Sequence, residues 1–422
     1  MDGFDKASEN SIEPAKGSSW IGKALPRMED RRFLIGSGRY VDDIVLPNQL
    51  HAAFVRSPHG HARIVKLELA KARSAQGVLA VYGGSDIQGL KDVPPNWVLP
   101  GSNVRGRPPL VRDVVRHVGE AVAVIVAATR AEAVDAAELV EVTYDVLPAL
   151  IDQNLALEEG APRVHADFKN NIATVMPAGA GGFDAAAVNA DLNITLSVKN
   201  QRLIPFPIEP RAVNADFDAA TNQLTFYSCN QIPHMLRRML AAALEFPEHR
   251  LRVISPDVGG GFGPKMHFYP EELLLAWISI KLARPVKWTE TRSENIVATT
   301  HGRDHNMVAD IAADEDGKIL ALRVQGVANI GAYLSSMGTG VPTINVALFL
   351  LGVYSIPVSE AKITCVYTNT TPVDAYRGAG RPEAAYLIER AIDRVALELG
   401  LDPAEVRFRN FIQPEQMPYR QG

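Results

Sequence analysis

The residues best suited to contact a ligand are four glycines clustered around Phe262, between Gly259 and Gly263. Because glycine has no Cβ, such a turn can present backbone N–H groups to an anion or let a flat ligand approach the main chain. A tight connection that binds no ligand is the more common role of a single glycine cluster. The cluster alone therefore leaves both roles open.

Two nucleotide-binding motifs can be excluded at this cluster. A dinucleotide fingerprint starting at Gly259 needs a glycine where Pro264 stands. A P-loop needs Gly-Lys-Ser or Gly-Lys-Thr, but the chain has Pro264 between Gly263 and Lys265. A ligand bound here is therefore not held in the manner of NAD or of the phosphates of ATP.

A second glycine-rich element, Asp374 to Tyr386, places glycines directly before a predicted helix. It contains Arg377 and Arg381, whose guanidinium groups are strong donors to anions. Two such elements suit a large polar and anionic ligand bound between them. Alternatively, Arg377 caps local carbonyl groups, and the residues alone favour neither role.

Further polar candidates precede these elements. Gln231 lies at a predicted strand-to-helix junction closed by Pro233. A buried glutamine amide can donate to an oxo or carbonyl group, although it more often closes a turn. His59 and His61 supply two metal ligands where a structural zinc site needs about four, so a surface or turn role is expected for them.

Composition limits the chemistry further. Cys229 and Cys365 are the only cysteines, and an iron–sulfur cluster needs about four thiolate ligands. If the chain carries out redox chemistry, the electrons must therefore leave through another chain. The net charge of -5 offers no basic surface for nucleic acid. No apolar run approaches the about 20 residues of a membrane helix, and the N-terminus lacks a secretory pattern. A cytoplasmic location is therefore expected.

The elements predicted from hydrophobic periodicity are mixed. Strands and helices alternate along the chain, with a hairpin around Asp316 and Gly317 and a long helix that Gly400 ends. A chain of 422 residues exceeds what one hydrophobic core normally supports. We therefore expect a flexible arm at 1–26, a first domain at 27–150, a linker rich in Gly, Pro and Ala at 151–183, and a second domain at 184–422.

Taken in order, these segments resemble the molybdenum-binding large subunit of the xanthine dehydrogenase, aldehyde oxidase and aerobic carbon monoxide dehydrogenase family of molybdenum hydroxylases. The similarity extends from about Arg27 to Ile412. It rests on the ordered blocks RRFLIGSGRYVDDIVLPNQLHAAFVRSPHGHARI, RHVGEAVAVIVA, NQIPH, SPDVGGGFGPK, WTETRSENIVATTHGRDH and AYRGAGRPEAAYLIERAIDRVA.

The resemblance implies an α+β (mixed α/β) fold, with an N-terminal α/β hammerhead domain before the first part of a molybdopterin-binding domain that is incomplete at its C-terminus. It also implies molybdopterin, with a terminal phosphate or a cytosine dinucleotide tail. The pterin, and no protein side chain, then holds the molybdenum. The 2Fe-2S clusters and FAD are expected on an Fe-S small subunit and an FAD-binding medium subunit, and the missing C-terminal half of the large subunit is a further expected partner.

By position, the resemblance assigns catalytic roles to Gln231, Phe262 and Arg377, with Gln231 donating to the apical oxo ligand. The expected cofactor-binding residues include these three together with Gly260, Gly261, Gly263, Ala375, Gly378 and Ala379. On this basis we expect Gly261 and Gly263 to be bare because the cofactor lies against their backbone. The base carboxylate of the family is expected beyond Gly422.

Departures from the family pattern bear on the substrate. Xanthine enzymes of the mammalian type carry a glutamate where Met266 stands and an arginine where Asn345 aligns, so xanthine is disfavoured. Carbon monoxide dehydrogenases carry a copper-binding cysteine where this chain has Gly378. An aldehyde or an N-heteroaromatic, hydroxylated with water as the oxygen source, is the expected substrate. The alternative is a catalytically silent remnant that acts as a structural or assembly component.

Overall fold

The computed structural model of the chain describes residues 20–87 and 89–420. Residues 1–19 of the predicted arm lie outside this part. Two compact units are present, Met1–Arg39 and Tyr40–Gly422. In the described part of the first unit, helix α1 (Asp30–Leu34) follows an ion pair between Arg27 and Asp30.

The second unit contains helices and strands throughout, which confirms the predicted α+β class. Its helices are α2 (Ala70–Arg73), α3 (Arg130–Glu138), α4 (Phe183–Ala187), α5 (Pro233–Leu244), α6 (Pro270–Leu282), α7 (Arg292–Ala298), α8 (Val346–Phe349), α9 (Arg381–Leu399) and α10 (Pro403–Asn410). Its strands are β1 (Leu50–Arg56), β2 (Ala62–Glu68), β3 (Val78–Gly83), β4 (Val114–Val115), β5 (Ala121–Ala127), β6 (Glu141–Val146), β7 (Ile172–Gly179), β8 (Leu192–Asn200), β9 (Ala212–Asp218), β10 (Gln223–Ser228), β11 (Leu251–Ile254), β12 (Val286–Thr289), β13 (His305–Ala313), β14 (Ile319–Gly331) and β15 (Val358–Tyr367).

A seven-stranded sheet combines strands from both sides of the predicted linker, in the order β11-β10-β9-β12-β1-β5-β3. Strands β1 and β12 join its two parts through a parallel pairing of Leu50 with Val286. Strand β5 is buried along its whole length, as its continuous apolar sequence predicts. The predicted boundary therefore does not separate two sheets, and the division into domains stays a prediction.

A five-stranded sheet has the order β7-β15-β14-β13-β8, and the hairpin predicted around Asp316 and Gly317 joins β13 to β14. Strand β7 falls inside the segment predicted as a linker. Pro177 and the glycines around it suggested a loop, but β7 is an edge strand, where the missing N–H of proline costs no ladder hydrogen bond. That part of the segment is therefore structural. A smaller sheet, β4-β2-β6, completes the topology.

Two helices provide most of the packing against these sheets. Helix α9 buries Leu387, Ile388, Ile392 and Val395 against the five-stranded sheet, at the spacing that predicted it, and Gly400 ends it in the left-handed region. Helix α6 is buried on nearly all sides between α5 and the seven-stranded sheet. No helix in residues 20–87 or 89–420 is long and apolar enough to cross a membrane.

Buried charges surround the first turn of α6. Glu271 accepts hydrogen bonds from Arg56 (3.0 Å) and Arg211 (3.0 Å), and Arg211 also pairs with Glu290. Burial alone would raise the pKa of Glu271, but Arg211 and Arg56 together hold it below its ordinary value. Because Arg56 lies on β1 and Arg211 precedes β9, this network ties both parts of the seven-stranded sheet to α6.

The neighbouring Glu272 behaves in the opposite way. Its carboxylate accepts from the Tyr269 backbone N–H (2.9 Å) and the Ser228 hydroxyl (2.8 Å), but no cation pairs with it among the described residues. Burial raises its pKa from 4.5 to about 7. The folded chain therefore holds this proton over a pH range in which the unfolded chain loses it.

We expect Glu272→Gln to remove a pH-dependent loss of stability. In the wild type, the stability linked to Glu272 is fully present below pH 4.5 and is lost as the pH rises through about 7, a change of about 3 kcal/mol. The glutamine can still accept from Tyr269 and donate to Ser228. The free energy of unfolding, measured from pH 4.5 to 7, should therefore increase for the variant relative to wild type as the pH rises.

The matched control is Glu405→Gln, which removes an exposed carboxylate from the first turn of α10. Parallel stability curves for wild type and Glu272→Gln across this pH range would contradict the assignment of the proton to Glu272.

Candidate functional site

The first glycine element lies in the loop between β11 and α6. Gly260, Phe262 and Gly263 all have positive φ, at 100°, 57° and 110°. A non-glycine residue in the left-handed region is uncommon, and such conformations concentrate at ligand sites. Phe262 is also 43% exposed, so the strained turn presents an aromatic ring to solvent.

The two glycine elements contact each other directly. The Arg377 backbone N–H donates to the Phe262 carbonyl (2.8 Å), and a Cβ at position 263 would lie 2.2 Å from the Ala375 carbonyl oxygen. The structure thus brings together the two segments that the sequence indicated. It also changes the reason expected for Gly263, because packing within the chain already requires glycine there, whether or not a ligand is bound.

Gln231 connects to the same turn. Its side-chain oxygen accepts from the Gly263 N–H (3.0 Å), its backbone N–H donates to the Lys265 carbonyl (2.8 Å), and a Cβ at Gly261 would lie 2.5 Å from its side chain. The side chain is exposed. Its amide nitrogen has no hydrogen-bond partner in the described part of the chain. Gln231 therefore closes the turn and still offers N–H donors.

The second element is a backbone turn held by other residues. Gly378, Ala379 and Gly380 have positive φ immediately before α9, and the Asn345 side chain donates to the Ala379 carbonyl (3.0 Å). Asn345 ends a π-helical turn, Val341–Asn345, a conformation that is frequent at functional sites. The sequence did not predict this turn.

Arg303 performs the capping role that was one alternative for Arg377. It donates to the carbonyls of Tyr376 (3.1 Å) and Arg377 (2.7 Å) and is paired with buried Glu383 (3.0 Å). The guanidinium of Arg377 is exposed, lies 5.9 Å from the centre of the Phe262 ring, and caps no carbonyl among the described residues. Arg377 is therefore available to an anion.

A buried pair lies below the contact between the two elements. Asp374 accepts from the backbone N–H groups of Ala375 (2.5 Å) and Met337 (2.8 Å), and the His267 Nδ1 lies 3.5 Å from its carboxylate. Burial lowers the pKa of His267, despite the carboxylate of Asp374. The sequence did not predict this pair, because neither residue stands in a recognisable spacing.

The segment Ile204–Glu209, which the sequence also did not mark as part of a site, lies against the first glycine element. Glu209 accepts from the Gly259 N–H (2.7 Å), and a Cβ at Gly260 would lie 3.2 Å from Pro207. The segment presents Phe206 and Ile208 to solvent, with Ile208 at 93% exposure. Its prolines are the one sequence signal of a fixed conformation.

The remaining candidates have structural roles. The ring of His61 contacts the Pro148 carbonyl (2.7 Å), and His59 packs edge-on against Tyr144. Burial raises the pKa of the Cys229 thiol to about 12, and Cys365 is part of the core. Within residues 20–87 and 89–420 no group of three or more His, Cys, Asp or Glu side chains could hold a metal ion.

The exposed groups of this site match the chemistry of an anionic, oxygen-rich cofactor. The Gln231 amide and the Arg377 guanidinium supply donors beside the Phe262 ring. One carboxylate oxygen of Glu209 is buried nearby without a hydrogen-bond partner in the described chain; as an acceptor it suits an N–H or O–H group of a ligand and not an anionic group. Polar groups left open around a glycine turn are what a molybdopterin-binding surface requires, although the glycines pack mainly against the chain itself.

Comparison with protein families matches almost the whole second unit. Residues 164–411 match the molybdopterin cofactor-binding domain, and residues 35–148 match the aldehyde oxidase and xanthine dehydrogenase α/β hammerhead domain.

Individual relatives agree. The chain is 36% identical to the carbon monoxide dehydrogenase large chain of Afipia carboxidovorans, over 97% of this chain and 52% of that protein. It is 31% identical to the nicotinate dehydrogenase large molybdopterin subunit of Eubacterium barkeri, over 92% of this chain and 89% of that one. The crystal structure of quinoline 2-oxidoreductase from Pseudomonas putida 86 matches with a TM-score of 0.91 and 37% identity, over 95% of this chain and 51% of that one. The chain thus spans about half the length of most of these relatives.

We expect Gly263→Ala to destabilise the chain even without a cofactor. The new Cβ would meet the Ala375 carbonyl oxygen at 2.2 Å and force an alanine to a φ of 110°, at a cost of about 3 kcal/mol. The matched control is Gly400→Ala, which has positive φ but open space around it and should cost about 1 kcal/mol. Thermal unfolding of the cofactor-free chain measures both. Equal effects would show that the contact with Ala375 is not tight.

Proposed function

The chain belongs to the xanthine dehydrogenase and aldehyde oxidase family of molybdenum hydroxylases, and from this we propose that it binds molybdopterin as part of a large subunit that hydroxylates an aldehyde or an N-heteroaromatic compound. The carbon that reacts is electron-poor, and water is the source of the oxygen. When bound, the pterin-held molybdenum supplies Lewis acidity and accepts the electrons. Fe-S and FAD subunits carry the electrons onward in this proposal.

The observation that carries the proposal is the pair of open donors at the contact between the glycine elements. The Gly263 N–H fixes the side-chain oxygen of Gln231, so its amide N–H groups point away from the turn and can donate to an oxygen ligand of the cofactor. The guanidinium of Arg377 lies next to the Phe262 ring and can bind an anionic group. Both terminal phosphate and cytosine dinucleotide tails offer such groups.

The residues beside the site lack the charged side chains with which xanthine enzymes hold the purine, and this supports a different substrate. Asn345 uses its amide N–H to hold the Ala379 carbonyl, and Met266 has no charge to offer. Gly378 has no thiolate, and both cysteines of the chain are buried with raised pKa values. The copper chemistry of carbon monoxide oxidation therefore lacks its ligand here, despite the similarity to carbon monoxide dehydrogenase large chains.

The site needs further residues to be complete in this proposal. A general base must reach the proton it takes to within about 2.6 to 3.2 Å, and no carboxylate of the chain is placed for this by motif. Apolar side chains exposed around the glycine elements include Phe206, Ile208, Val258, Phe262 and Phe349. We propose that residues corresponding to the other half of the large subunit cover this face and supply the base.

We expect Gln231→Glu to separate the two roles of this side chain. The carboxylate can still accept from the Gly263 N–H, but it has no N–H to donate. Turnover of the assembled enzyme should fall by about 10- to 100-fold, the equivalent of 1 to 3 kcal/mol, with an unchanged thermal midpoint. Gln231→Ala, which loses both bonds, is the comparison variant. Unchanged turnover in both variants would reduce Gln231 to a turn-closing residue.

We expect the 422-residue chain alone to bind molybdopterin weakly and to bind an apolar dye at its exposed face. Coexpression with a polypeptide that corresponds to the other half of the large subunit should increase the molybdenum content and lower the dye fluorescence. Many turnovers by the isolated chain would contradict the need for further residues. Absence of molybdenum from the coexpressed complex would favour the catalytically silent alternative.

A further inference from the structure

Lys265 follows the first glycine element, and its ammonium group is buried. The proposed chemistry gives this group no role. Its side chain is 1% exposed, and its only partner among the described residues is Glu209, at 2.8 Å. A buried ammonium needs an opposite charge, because removal from water is costly. Glu209 therefore decides whether the end of the glycine element can stay inside the protein.

The same carboxylate also holds the beginning of the element. The oxygen that pairs with Lys265 accepts from the Gly259 N–H (2.7 Å), and the Glu209 N–H donates back to the Gly259 carbonyl (3.1 Å). A Cβ at position 259 would lie 2.5 Å from the Cβ of Glu209, so only glycine permits this approach. One side chain thus fixes both ends of a strained turn.

The position of Glu209 is itself fixed from the other side. Arg292, at the start of α7, donates to the carbonyls of Pro207 (2.6 Å) and Ile208 (2.9 Å) and lies 4.1 Å from the centre of the Phe206 ring. The segment before Glu209 is therefore anchored to α7, and it cannot follow the turn if the turn moves.

The turn passes this constraint to Gln231. The Lys265 carbonyl accepts from the Gln231 N–H, and the Gly263 N–H donates to the Gln231 side-chain oxygen. A shift of the turn would change which way the Gln231 amide points. We propose that Glu209 is a positioning residue that, through Gly259 and Lys265, sets the glycine turn and hence the direction of the Gln231 donors. This role rests on the proposed function only in what those donors contact.

The test uses a paired substitution in the full chain, expressed with the other half of the large subunit. Glu209→Leu or Lys265→Met alone leaves one buried charge and should lower the thermal midpoint by about 5 °C or more. The double variant Glu209→Leu/Lys265→Met removes both charges with similar volume and should recover most of this loss. The Gly259 N–H still lacks its acceptor in the double variant.

The positioning role predicts that recovered stability does not restore the turn. In the double variant, amide hydrogen exchange in residues 255–268 should stay at least about 10-fold faster than in wild type, because the Gly259 N–H is unprotected and the turn opens more often. Molybdenum content should stay reduced. Glu141→Leu/Lys71→Met, which replaces an exposed pair on β6 and α2, is the control and should change neither measurement.

The outcomes separate the two proposals. Wild-type exchange and wild-type molybdenum content in the double variant would overturn the positioning role and leave a pair that only stabilises the fold. Faster exchange in the double variant, together with a wild-type complex that contains no molybdenum, would support the positioning of the turn and contradict the proposed function.

Discussion

The contact between Gly263 and the Ala375 carbonyl is the constraint on which the site depends. It joins two backbone segments that lie far apart in the chain, and the hydrogen bond from the Arg377 N–H to the Phe262 carbonyl holds them together. Regular elements flank both segments: β11 and α6 flank the first glycine element, and β15 of the five-stranded sheet and α9 flank the second. Because the two backbones are this close, the side chains of Gln231, Phe262 and Arg377 lie on the same surface.

Buried charge supports this contact from below. Glu271 and Arg211 fix the start of α6. Asp374, the first residue of the second element, accepts from two backbone N–H groups, and Arg303 donates to two carbonyls of that element. Such groups are costly to bury, and each is compensated by a partner or by backbone hydrogen bonds. The rigid layer they form keeps the exposed donors above it free of internal partners. A rigid layer below and unpaired hydrogen-bond donors above are the physical basis of the proposed binding surface.

The sequence predicted the regular elements well and the supporting residues poorly. The apolar run of β5, the three-and-four spacing of α9 and the glycine that ends it are local signals, so each was recognised. Strand β7 was missed because proline and glycine describe a loop unless the strand is known to lie at an edge. Glu209, His267 and Arg303 act through partners far away in the chain, and no local pattern marks them. The exposure of Gln231 has no local signal either, since burial follows from the tertiary arrangement.

The pairing of β1 with β12 has a consequence for the synthesis of the protein. During translation, β1, β3 and β5 leave the ribosome long before β12 exists, so β1 waits with one row of backbone hydrogen-bonding groups open. An open strand next to the fully apolar β5 can pair with other nascent chains. Closure of the sheet depends on contacts between distant parts of the chain, which form slowly. A fragment cut at the predicted domain boundary would keep this edge permanently, and its recovery from cells would then be governed by aggregation and chaperone capture.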